Sequence, residues 1–92
     1  MLSDLAVSQE VATAMAEGAR MRAGVDYALA TTGIAGPGGG SEAKPVGTVF
    51  IALAAKSGGT QVQRFRFATD RETFKSLTVQ AALDFLRRTL AR

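Results

Sequence analysis

The ten residues Val46–Ala55, "VGTVFIALAA", contain no charged side chain and are rich in β-branched and large apolar types. A run this short is read as a strand, and with no polar face it must be a strand buried on both sides. It requires cover above and below, which narrows the folds open to the chain to layered ones. A second segment, "DYALATT" (Asp26–Thr32), places Tyr27, Leu29 and Thr31 on one face and Ala28, Ala30 and Thr32 on the other. Neither face is strongly polar, so it too reads as a buried central strand. "KSGGT" is a turn into "QVQRFRF" (Gln61–Phe67), where Phe65 and Phe67 alternate with Arg64 and Arg66. This last pair of strands is expected to form an antiparallel hairpin with a partly wet edge.

Helices are expected on either side of the strands. Ser8 can cap a helix that begins at Gln9, with Val7 and Ala12 packing as a hydrophobic staple. Val11, Met15 and Ala19 recur at helical spacing, and Gly24 stops the helix. Near the other end of the chain, Thr69 and Glu72 read as a capping box for a helix with Phe74, Leu77, Thr78, Ala81 and Phe85 on one apolar stripe. The order is helix, strand, glycine-rich loop, hairpin, helix: an α/β layer structure. Three strands apolar on both sides need more cover than two helices provide, so the sheet is expected to find further neighbours. At 92 residues the chain is one domain with a small core of its own.

Composition removes several function classes. With no Cys and no His, disulfides, thiol nucleophiles and the usual zinc and transition-metal ligand sets are excluded. No apolar run approaches the ~20 residues that span a bilayer, so no membrane role is expected, and a cytoplasmic location is the expectation. The net charge of +3 is spread along the chain. Arg20 and Arg22 close the first helix, and Arg87, Arg88 and Arg92 the last, where cations meet the negative end of the helix dipole. No nucleic-acid stripe is read from this pattern, and one Tyr, five Phe and no Trp offer little base stacking.

The segment between the first two strands holds five of the ten glycines within eight residues, Gly33–Gly40. Backbone without Cβ atoms can approach a ligand closely, and successive N–H groups can converge on an anion. Thr32, Gly33, Ala35 and Gly36 would lie just beyond a strand end, where ligands of open α/β sheets gather. Neither the dinucleotide fingerprint nor the P-loop pattern fits the spacing. On spacing alone, "GPGGGSEAKP" reads equally as a flexible connection punctuated by Pro37 and Pro45.

The wording of the segment is more telling than its spacing. "TTGIAGPGGGSEAKPVGTVFIALA" (residues 31–54) closely resembles the signature of the CinA C-terminal domain family, the nicotinamide-nucleotide amidohydrolases. "VSQEVATAMAEGARMRAGVDYALA" and "DRETFKSLTVQAALDFLRR" resemble the family's flanking segments, so the likeness spans nearly the whole chain. The resemblance implies a three-layer α/β/α fold, self-association into an oligomer, and hydrolysis of nicotinamide mononucleotide to nicotinate mononucleotide and ammonia, with no cofactor. It also implies that Thr32, Gly33, Ala35 and Gly36 line a nucleotide site.

Arg71 adds a separate hint. A cation in the first turn opposes the helix dipole by ~0.3–1 kcal/mol, and Lys75 follows one turn later on the same face. A bound phosphate would justify both, although the family commonly has Arg where Lys75 stands; the alternative is a surface pair neutralised by Asp70 or Glu72. The family's nucleophilic Ser lies in a Glu-Ser-x-Thr-Gly-Gly motif, and its Lys and Tyr in the segment after it. None of these has a counterpart here, so the resemblance implies the C-terminal part of the domain, without a catalytic residue. Ser41 and Lys44 could form an acyl-transfer pair only if the Lys were desolvated, which a Gly/Pro-rich loop does not favour. The expectation is a nucleotide-binding surface without its own nucleophile; the alternative is a non-catalytic binding or oligomerisation module.

Overall fold

The computed structural model describes residues 7–33, 47–67 and 69–91. Five elements follow one another: α1 (Gln9–Ala23), β1 (Tyr27–Gly33), β2 (Thr48–Ala55), β3 (Gly59–Arg66) and α2 (Arg71–Leu90). The three strands form one sheet in the order β1-β2-β3, antiparallel throughout. β2 is the middle strand and is buried from Thr48 to Ala54.

The alternation of side chains along β2 divides the interior in two. Phe50, Ala52 and Ala54 point to α1, where they pack with Val7, Ala12 and Ala16. Val49, Ile51 and Leu53 point the other way, to Phe74, Ala82 and Phe85 of α2. One helix therefore covers each face, giving the three-layer α/β/α arrangement. Cross-strand partners share a face, so the register Thr32↔Phe50 and Gly33↔Val49 puts Thr32 on the α1 side and Gly33 on the α2 side.

Local signals account for both ends of α1. Ser8 is the N-cap and accepts a hydrogen bond from the Val11 amide at 3.1 Å, while Val7 and Ala12 are both fully buried beside it. Gly24 ends the helix in the left-handed region at φ 65°, with its N–H on the Arg20 carbonyl. The interior of the helix differs from the expected stripe. Ala12 and Ala16 are the buried positions, and Met15 is 45% exposed. Small side chains let the helix approach the sheet closely, which turns the face by one residue from Val11–Met15–Ala19.

Two further expectations are corrected. Among the described residues β1 is an outer strand of the sheet rather than a central one, half-buried at Ala28, Leu29 and Ala30 and exposed at Thr31. The cap of α2 is Asp70, not Thr69 with Glu72. The Asp70 carboxylate accepts from the Thr73 amide at 3.0 Å and from the Thr73 hydroxyl at 2.6 Å. On the expected α2 stripe, Phe74 and Phe85 are buried, Leu77, Thr78 and Ala81 are half-buried, and Ala82 replaces Ala81 as the buried alanine.

Gly33 is needed for close packing. A Cβ at this position would stand 3.0 Å from the Thr48 carbonyl oxygen, 3.1 Å from Phe74 Cζ and 3.2 Å from Val49 Cβ. Gly33→Ala is therefore expected to cost about 1–3 kcal/mol by overpacking. Phe74→Leu, which removes the ring atom at that contact, should offset part of this cost; thermal melts of both single variants and the double variant check the coupling.

The Asp70 cap also carries a pH dependence. Hydrogen bonds from the Thr73 hydroxyl and amide hold its carboxyl below the ordinary 3.8. A lowered folded value means the stabilisation is complete above the unfolded pKa and is lost as pH falls through the folded one. Asn retains a cap without titrating. The advantage of wild type over Asp70→Asn should be constant above about pH 5 and shrink as acid is added below pH 4, read by thermal melts across that range.

Candidate phosphate-binding end of the sheet

Three chain segments meet at one end of the sheet. β1 ends there at Thr32 and Gly33, β2 begins there at Thr48, and β3 ends there at Arg66, which is paired with Thr48. The Phe67 amide donates to the Gly47 carbonyl at 2.8 Å, and Gly47 sits at φ 94°, a conformation that favours glycine. The segment 34–46 leaves and re-enters at this end. Because the sheet is antiparallel, it is the carboxyl ends of β1 and β3 that face this side, with the amino end of β2 between them.

The first turn of α2 is anchored to the same end. Phe74 is 7% exposed, lies against Gly33, and meets the Phe67 ring edge-on at 6.4 Å between centroids. Phe67 in turn stacks with Phe65 at 5.6 Å. These contacts hold the turn that carries Arg71 and Lys75 near the point where β1 gives way to the loop. The missing Cβ of Gly33 is thus what allows the helix start and the strand end to approach.

Of the residues expected from the sequence, Thr32 is buried at 8% exposure and Gly33 is half-buried. Arg71 and Lys75 are exposed on α2. Ala35 and Gly36 lie outside the described residues, as do Ser41 and Lys44. The structure therefore brings Thr32, Gly33 and the Arg71 turn to one end of the molecule.

The charges around the two cations separate them. Lys75 Nζ is 3.8 Å from Glu72 Oε1, an i,i+3 surface pair. That is the neutralised alternative, worth ~0–1 kcal/mol in water. Asp70 is committed to Thr73, and Arg71 has no acidic partner among the described residues. Arg71 is thus the cation of this turn open to an external anion.

Arg66 is a neighbour that the sequence reading placed only on a wet strand edge. It is exposed at the end of β3, opposite Thr48. Its alternation with Phe65 and Phe67 is visible in the sequence, but its place opposite Thr48, at the end where β1 finishes, depends on the β2–β3 register. Arg64, two residues earlier, lies over the Phe50 ring at 5.8 Å. Among the described residues no cluster of His, Cys, Asp or Glu could hold a metal ion. An open depression of about 330 Å³ beside Lys75, lined also by Ser76, Val79 and Gln80, lies on the outer surface of α2.

Comparison with known proteins gives this geometry its context. The family model of the CinA C-terminal domain matches residues 1–90. A "CinA-like protein" of Geobacter sulfurreducens is 58% identical over 85 residues, covering 92% of this chain and 20% of that protein. A crystal structure of the competence damage-inducible protein A (ComA) from Klebsiella pneumoniae superposes with a TM-score of 0.87 at 40% identity, over 95% of this chain and 53% of that one. The competence/damage inducible protein CihA from Agrobacterium tumefaciens superposes at 0.84 with 43% identity, over 90% and 51%. The chain thus spans about a fifth of these curated relatives and about half of the solved chains. With its signature, its three layers and a family match over residues 1–90, the chain belongs to the CinA C-terminal domain family.

Proposed function

We propose that this chain supplies the nucleotide-binding end of a nicotinamide-nucleotide amidohydrolase. In this reaction water replaces the carboxamide nitrogen of nicotinamide mononucleotide, leaving nicotinate mononucleotide and ammonia. The observation that carries the reading is the exposed Arg71, held by the Phe74–Gly33 contact where the signature segment leaves β1, in a member of this family. Thr32, Gly33, Ala35 and Gly36 approach the nucleotide through backbone, and Arg71 takes its phosphate with two parallel N–H donors. Lys75 adds positive charge once a phosphate competes with Glu72 for it.

The carboxamide chemistry needs a nucleophile and a base; the chain has no His or Cys, and its described lysines, Lys56 and Lys75, are exposed, so nothing among the described residues is set up to deprotonate a hydroxyl. The 92-residue chain is therefore assigned binding without turnover, with hydrolysis belonging to the complete domain. Self-association and a cytoplasmic site of action are part of the same proposal; among the described residues no helix is long and apolar enough to cross a membrane. A non-catalytic nucleotide-binding or oligomerisation module is the second reading, favoured if binding persists and the complete domain does not release ammonia.

The test is ammonia release from nicotinamide mononucleotide, with a calorimetric titration of nicotinate mononucleotide on the same sample. Micromolar to millimolar binding without ammonia is expected from the chain alone, and turnover by it would overturn the assignment. Arg71→Ala should weaken mononucleotide binding about tenfold or more while leaving the nucleoside unaffected, because a charge-assisted bond is worth ~1.5–3 kcal/mol. Equal loss for both ligands would remove Arg71 from the phosphate site.

A further inference from the structure

Two arginines approach the signature end of the sheet from opposite faces. Phe50 points to α1, and cross-strand partners share a face, so its partner Arg64 and then Arg66 rise from β3 on the α1 side. Arg71 opens α2 on the other side. α1 also starts at this end, since its Glu17 reaches Thr60 and its last residue leads into Tyr27 at the far one. The acids in the first turns of the two helices are Glu10, Glu72 and Asp70; Asp70 caps α2, and Glu72 pairs with Lys75. Among the described residues no ion pair joins any carboxylate to Arg66 or Arg71.

Arg66 is held in place as well as exposed. Its cross-strand partner Thr48 is fully buried, and the following amide, that of Phe67, is bonded to the Gly47 carbonyl at 2.8 Å. The stem of the side chain therefore starts beside packed structure while the guanidinium reaches water. Arg64 stands two residues back on the same face, about 7 Å away along the strand, with its guanidinium over the Phe50 ring. Two like charges at that spacing repel, and no carboxylate among the described residues offsets Arg66. An anion at the end of the sheet does so.

Five residues separate Arg66 from Arg71, so their Cα atoms are no more than ~18 Å apart, with the ends of β1 and β2 between them. A forked guanidinium occupies two oxygens of a phosphoryl group, so a second fork arriving from the other face calls for a second phosphoryl group. We propose that this end of the sheet receives a diphosphate, with Arg71 on one phosphoryl group and Arg66 on the one linked to it. The ligand is a nucleotide extended through its phosphate, or inorganic pyrophosphate, in preference to a mononucleotide. This inference rests on the Arg71 phosphate assignment made above, but not on the nicotinamide end of that reading.

The experiment is calorimetric titration of the 92-residue chain with inorganic phosphate, inorganic pyrophosphate, nicotinamide mononucleotide and nicotinamide adenine dinucleotide. Pyrophosphate is expected to bind at least tenfold more tightly than phosphate. Arg66→Gln should bring that ratio to about threefold or less with phosphate affinity unchanged, and circular dichroism verifies that the fold persists. Arg66→Lys, which keeps the charge but not the fork, should retain part of the ratio. Arg22→Gln removes an equal charge at the far end of the molecule and should leave the ratio at its wild-type value. A dinucleotide held more tightly than the mononucleotide, by a margin lost in Arg66→Gln, identifies the nucleotide as the source of the diphosphate; equal binding of the two identifies free pyrophosphate. A wild-type ratio near one, a ratio that survives Arg66→Gln, or the same loss in Arg22→Gln would overturn the proposal. Phosphate affinity indifferent to Arg71→Ala would overturn the Arg71 assignment, and this inference with it.

Discussion

Everything in this small structure is arranged around a middle strand with no side that water can reach. β2 is flanked by β1 and β3 through its backbone and covered by α1 and α2 through its side chains. Each of Val49, Ile51 and Leu53 contributes ~1.5–3 kcal/mol by leaving water, provided both helices are in place. The two interior clusters share this strand, so loosening either helix exposes one face of it. The three-layer form is the smallest arrangement that satisfies β2, and among the described residues β1 pairs with β2 alone.

The same constraint shapes the functional end. β1 ends at Gly33 and β2 begins at Thr48 at this same end, so the strand that organises the core also fixes where the described chain resumes. Phe74 joins the helix start to the strand end, and Gly33 makes room for it. A ligand contacting both the segment after β1 and the Arg71 turn would meet two elements already fixed against each other. Pre-positioning of this kind lowers the ordering cost of binding. The glycine at position 33 has a packing role besides any role in approaching a ligand.

Much of the architecture was legible because its signals are local. The Ser8 cap, the Gly24 stop, the hairpin and the α2 apolar stripe each involve residues within a few positions of one another. Asp70 was missed as a cap because Thr69 and Glu72 satisfy the same spacing one residue earlier, and only the path of the chain from Phe67 decides which residue faces the helix amides. Met15 was misplaced because helical spacing allows more than one apolar face, and tight approach to the sheet selected the alanines. For the site, residue type singles out Arg71 and Lys75, but not which of them has no carboxylate partner among the described residues.

The sequence by itself determined the order of elements, the family to which the chain belongs, and the presence of a strand buried on both faces, since these follow from local propensity, periodicity and an unbroken string of residues. Only the tertiary structure decided that β1 stands at the edge, that Gly33 yields its Cβ space to Phe74, and that Arg66 and Arg71 come to the end where the signature segment departs. Strand order and register join residues far apart in the chain, and no short-range pattern encodes which distant partners will meet.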